Sequence, residues 1–139
     1  MSTVLGNALE TIEKERSSNR FHDAFTAVDE VLKEWGENQL ADRLVGAIPS
    51  TVSWEVVADL LGILTWSTSD NGAAIMRTAE RWLREGDDNR KLQIALNLDA
   101  YPFRDRTEME QVLGHLSEVN SVVAARCQVF IATRRELKE

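Results

Sequence analysis

Apolar residues recur along this chain at steps of three and four, the spacing that lines one face of a helix. From about Thr3 to Arg16, Val4, Leu5, Ala8, Leu9 and Ile12 share such a face. Phe21, Ala24, Phe25, Val28, Val31, Leu32 and Trp35 form a wider stripe that Gly36 ends. A shorter helix is predicted from Asn38 to about Ile48, with Leu40, Leu44, Val45 and Ile48 inward and Pro49 stopping it. Trp54, Val57, Ala58, Leu61 and Leu64 make the next stripe. After the turn at Ser67–Asn71 comes a helix to Glu85 carrying Ile75, Met76, Ala79, Trp82 and Leu83, with Gly86 closing it. Leu92, Ala95 and Leu96 follow Asp87 and Asp88, and Pro102 breaks that stretch. Asp105 with Glu108 three positions on is an acidic variant of the capping box, ahead of Met109, Val112, Leu113 and Leu116. A last helix is expected from Asn120 to about Leu137, apolar nearly all round at first and charged over its final turns.

Four helix-start residues, Asn19, Ser53, Asp87 and Asn120, stand at intervals of 34, 34 and 33 residues. A period of that length with two helices in each unit is the mark of stacked helical hairpins, which cannot bury their apolar faces singly. The expected fold is therefore all-α: an α-solenoid-like, right-handed stack of antiparallel hairpins with about seven to eight helices. At 139 residues the chain fits one domain over residues 1–139, long enough to bury a core without metal or disulfide.

Composition narrows the class. One cysteine, Cys127, excludes an internal disulfide framework and fits a reducing compartment. Its neighbours Val122, Val123, Val129, Phe130 and Ile131 mark it as a small core residue rather than a reactive thiol. The N-terminal stretch has no basic segment followed by an apolar run, and no stretch approaches the ~20 apolar residues of a membrane span. A cytoplasmic protein without membrane attachment is expected. With 23 acidic and 16 basic side chains, the net charge of −7 disfavours phosphate backbones and anionic lipids and favours a basic partner, besides aiding solubility.

No chemistry-bearing constellation emerges. His22 and His115 are the only imidazoles and stand in different units, so neither a zinc nor a di-iron site is expected. A phosphate-cradling glycine loop and a nucleophile elbow are missing from the sequence. The stripe Arg77, Arg81 and Arg84, with Arg90 and Lys91, could track phosphates. Yet Glu80, Glu85, Asp87 and Asp88 are interleaved with it, and Glu80–Arg84 has the spacing of a salt-bridged solvent face. Neither an enzyme, a cofactor, a metal nor a nucleic-acid partner is expected.

Aromatic residues finish the first helix of each unit: Trp35, Trp66, and Tyr101 with Phe103 around Pro102. In stacked hairpins those turns share an edge. A large aromatic there either covers the gap between hairpins, as expected for Trp35, or supplies a binding hot spot. Trp66, Tyr101 and Phe103 are the binding candidates, at least one of the last two being exposed, with Asp70, Asp99, Asp105, Glu108 and Glu110 meeting the positive charge of a basic protein.

The stretch NRKLQIALNLDAYP…TEMEQVLGHLSEVN, followed by SVVAARCQVFIAT, resembles HEAT-like repeats: a capped first helix with a Leu/Ala seam, a turn, an amphipathic second helix, then Asn or Asp opening the next unit. The resemblance covers Ser53 to Thr133 and, less fully, Asn19–Ser50. The units are shorter than the ~40–47 residues usual for HEAT repeats, and the tetratricopeptide Trp-Leu-Gly-Tyr spacing fits none of them. A short, acidic chain of this kind is also similar to some bacterial immunity proteins, which neutralise toxins. That similarity implies a monomeric inhibitor that binds and occludes a basic toxin such as a nuclease. A general scaffold or adaptor on the same fold is the alternative.

Overall fold

Among the described residues, 2–18 and 20–137 of a computed structural model, eight helices and no strand are found: an all-α protein. They are α1 (Thr3–Ser18), α2 (Asp23–Trp35), α3 (Leu40–Ala47), α4 (Trp54–Ser67), α5 (Ala73–Glu85), α6 (Asn89–Ala95), α7 (Arg106–Val119) and α8 (Ala124–Glu136). The chain divides into two compact units, Met1–Thr78 and Ala79–Glu139. No helix among the described residues is long and apolar enough to cross a membrane.

In the first unit α1 runs along α2, and α4 lies against both. The core takes Leu5, Ala8 and Ile12 from α1, Ala24, Val28 and Val31 from α2, Leu44 from α3, and Val57, Leu60, Leu61 and Leu64 from α4. All of these but Leu60 stand in the expected stripes, whereas Phe25, expected in the stripe of α2, is 47% exposed. Asn19, expected to open the second helix, lies outside the described residues. The start of α2 is capped from another source, the Glu15 carboxylate, which accepts the backbone N–H groups of His22, Asp23 and Ala24 at 2.7–3.2 Å. Partial desolvation raises its carboxyl pKa, but these three bonds outweigh that and hold it below the ordinary value. Gly36 ends α2 with φ +71, its N–H reaching the Leu32 carbonyl. Trp35, expected in the core, is half-buried beneath the Arg43 guanidinium, 5.7 Å from its ring centroid. It stands on the last turn of its helix.

In the second unit α7 lies along α8. Trp82, Leu83, Leu92, Ile94, Leu96, Met109, Leu113, Cys127 and Ile131 are buried there. The caps follow the sequence: Asp88 accepts the Lys91 N–H, and Asp105 accepts the Thr107 N–H. Asn120 departs from expectation. It closes α7 and accepts the Val122 N–H in a turn, so α8 begins only at Ala124.

The connection from α6 to α7 is irregular but tied from two sides. Its Asp99 and Phe103 have positive φ, +59 and +65. Buried Glu80 of α5 accepts the Phe103 N–H at 2.8 Å. Buried Arg134 of α8 donates to the carbonyls of Pro102, Phe103 and Arg104 at 3.2, 2.7 and 2.7 Å. A guanidinium, with five donors in a rigid fork, suits a loop that offers several carbonyls and no helix partner.

Candidate protein-binding surfaces

The eight expected contact residues divide between the units. Trp66 and Asp70 belong to the first. Glu55, Asp59, Gly62 and Trp66 follow one another along α4 at steps of four, three and four, hence on one face. Trp66 is 83% exposed, the most open of the large apolar side chains. At the other end of the face Arg16 bridges both carboxylates, Nη2 to Glu55 Oε2 at 2.9 Å and Nη1 to Asp59 Oδ2. Between them Gly62 leaves its backbone bare: a Cβ there would meet nothing within 4 Å.

The turn after Trp66 is firmly held. Thr68 Oγ1 donates to Asp70 Oδ1 at 3.0 Å, and the Gly72 N–H reaches both oxygens. Asp70 Oδ2 accepts the Ala74 N–H at 3.0 Å, and the Glu37 carboxylate accepts the N–H and hydroxyl of Ser69. The bond from Ala74, then that from Thr68, lowers the Asp70 carboxyl below its ordinary pKa against some desolvation. Asp70 is therefore the residue that starts α5, and its acceptor sites are largely occupied. Trp66 stands four residues earlier, on the last turn of α4.

In the second unit the expected contacts are more fully spent on the fold. Phe103 is a correction: it is 2% exposed, not a surface contact, because Glu80 holds its N–H and Arg84 lies across its ring at 4.9 Å. Tyr101 is half-exposed, edge-on to Phe130 with ring centroids 5.5 Å apart, and its hydroxyl donates to Thr133 Oγ1 at 2.7 Å. Glu108 pairs with Arg84 at 3.0 Å and Glu110 with Arg135 at 2.8 Å. The latter bond holds the Glu110 carboxyl below and the Arg135 guanidinium above their ordinary pKa values. Asp105 is exposed but caps α7, and Asp99 is exposed at its left-handed position.

One concavity was not anticipated. A groove of about 380 Å³ runs between the end of α5 and α7, floored by Leu83, Val112 and Leu116 and bordered by His115 and Val119. Val119 is 63% exposed. Val112, expected to face the core, is only half-buried here, and Val119 stands seven residues on, at the same helical register.

No group of three or more metal-binding side chains lies together among the described residues. Burial pushes the Cys127 thiol up to about 11, away from the thiolate range of reactive cysteines. His22 is exposed beside Asp23, whose hydrogen bond and charge raise its pKa. No family model, curated protein or solved structure matches the chain.

Proposed function

We propose that this chain is a stoichiometric protein-binding module, an immunity-type inhibitor that sits on a basic toxin, such as a nuclease, and covers its active site. The observation that carries this reading is the exposed indole of Trp66 at the end of α4. A chain that buries Trp82 to 2% leaves Trp66 83% in water. Tryptophan is one of the residues enriched in interface hot spots. The net charge of −7 would steer a basic protein toward it and speed association at low salt. Exposed Asp99 and Asp105 add to that field without contributing an ion pair to the fold. Inhibition would be steric and electrostatic, with no bond made or broken. The HEAT-like hairpins would serve as the stiff support, in the cytoplasm, as a monomer until the partner arrives.

The test is capture from the native host with tagged wild-type chain and with Trp66→Ala, at low and moderate salt. Stoichiometric recovery of a small basic protein by the wild type, lost or much reduced with the variant, is the expected result. Recovery of only a large assembly, equally by both, would favour the adaptor reading and remove the inhibitor.

A further inference from the structure

We propose that the Glu55–Asp59–Gly62–Trp66 face of α4 is a seat for one helix of the basic partner, crossing α4 over Gly62. The proposal rests on the protein-binding reading and adds where, and by what element, the partner is held. Three observations on this face converge.

Gly62 sits inside a helix, where glycine is the weakest residue after proline. Nothing in the fold requires it: its φ is ordinary for a helix, and a side chain would enter open space. The contrast is Gly72, whose φ is +81 and whose Cβ would lie 2.5 Å from that of Thr65. A bare helix backbone with free space above it is what allows a second backbone to approach closely. One turn further on, Trp66 borders that space with an exposed ring, offering apolar area and a face that attracts cations.

The charge at the other end selects the occupant. Arg16 is one cation facing two carboxylates, so the cluster keeps a negative charge. The Glu55 side chain is 50% and the Asp59 side chain 24% exposed, within reach of an incoming ammonium or guanidinium. From Glu55 to Trp66 the face is about 16 Å long at the helical rise, or three turns. A partner helix with a small residue opposite Gly62, a lysine or arginine toward Glu55 and Asp59, and a cationic or aliphatic side chain on Trp66 satisfies all three.

Gly62→Leu separates this role from stability. It fills open space and improves helix propensity, so the variant should melt at or above the wild-type temperature. Gly46→Leu in α3, also facing open space, is the control. The probe is the basic protein recovered by wild-type capture, purified and titrated calorimetrically against each chain. The expected result is affinity reduced at least tenfold by Gly62→Leu and unchanged by Gly46→Leu. Removing the charge with Glu55→Gln and Asp59→Asn together should flatten the salt dependence. Equal affinity of wild type and Gly62→Leu would overturn the seat while leaving the protein-binding reading in place. Failure of the wild type to recover any basic protein would overturn both. Self-association of the wild type in sedimentation, abolished by Gly62→Leu, would assign the face to a second copy of the chain and overturn the proposal.

Discussion

Replacing Gly72 by alanine adds one methyl group and should cost this protein a large part of its stability. At φ +81 an L-residue pays about 1–2 kcal/mol relative to the right-handed region. The new Cβ would lie 2.5 Å from Thr65 Cβ, 2.8 Å from its Cα and 2.9 Å from its Cγ2, all backbone or backbone-proximal atoms. Carbon atoms prefer ~3.5–4.0 Å, and forced overpacking costs about 1–3 kcal/mol. Relief by moving the turn would stretch the bonds from the Gly72 N–H to Thr68 and Asp70. The combined loss should be about 3 kcal/mol, a substantial share of the ~5–15 kcal/mol typical of a folded protein. Gly62→Ala makes the same chemical change ten residues earlier into open space and should stabilise by up to ~1 kcal/mol. Urea unfolding followed by helical circular dichroism reads both. A drop in melting temperature of about 12 °C for Gly72→Ala is the thermal counterpart, at ~4 °C per kcal/mol for a chain of this size. A Gly72→Ala midpoint indistinguishable from wild type, or a destabilising Gly62→Ala, would mean that backbone conformation and free space do not govern these two positions.

Arg134→Leu should destabilise by about 3 kcal/mol in the same assay, because three loop carbonyls lose a buried charged donor; a loss below ~1 kcal/mol would mean water replaces it freely. Glu15 has a depressed folded pKa, so its contribution is present above the ordinary value of 4.5 and is lost as pH falls through the folded one. The stability difference between wild type and Glu15→Gln should therefore be constant near neutrality and shrink on acidification below 4.5; a difference that stays undiminished on acidification would contradict the capping role. Cys127 should be silent to a thiol reagent in the native protein and titrate as one equivalent in denaturant, whereas prompt native reaction would contradict its burial.

Much of the fold was legible because short-range chemistry governs it. Ser53, Asp88 and Asp105 cap helices by bonds to N–H groups two or three residues on, and Pro49 and Gly36 stop helices by their own backbone limits. Asn120 shows where that logic is ambiguous: accepting an N–H two residues ahead serves equally for a cap or an isolated turn, and here it makes the turn. The cap of α2 was invisible because it comes from Glu15, a whole turn outside the start signal. Which helices lie side by side is likewise not written in a stripe; α4 sits against both α1 and α2.

The exposure of the candidate side chains was legible only in part. Trp66 fits the Trp54–Leu64 stripe less well than the residues before it, in keeping with its 83% exposure. Tyr101 and Phe103 flank a proline in a polar turn where at least one reads as exposed; Glu80 and Arg134, 23 and 31 residues from Phe103, hold the backbone of Phe103, which is the buried one. The acids Glu108 and Glu110 read as free charge until α5 and α8 bring Arg84 and Arg135 to them. Long-range pairing decides such cases, and no local pattern reports it.

On the proposed reading the chain inhibits by occupying its partner one to one. The most direct measurement is an inhibition titration of the captured basic protein in its own activity assay, nuclease activity first, with the wild-type chain added in steps. Activity falling linearly to zero at one molar equivalent, with the chain recovered intact from the complex, is what this account predicts. Activity that persists at excess chain, or that falls with substoichiometric chain through turnover, would contradict it.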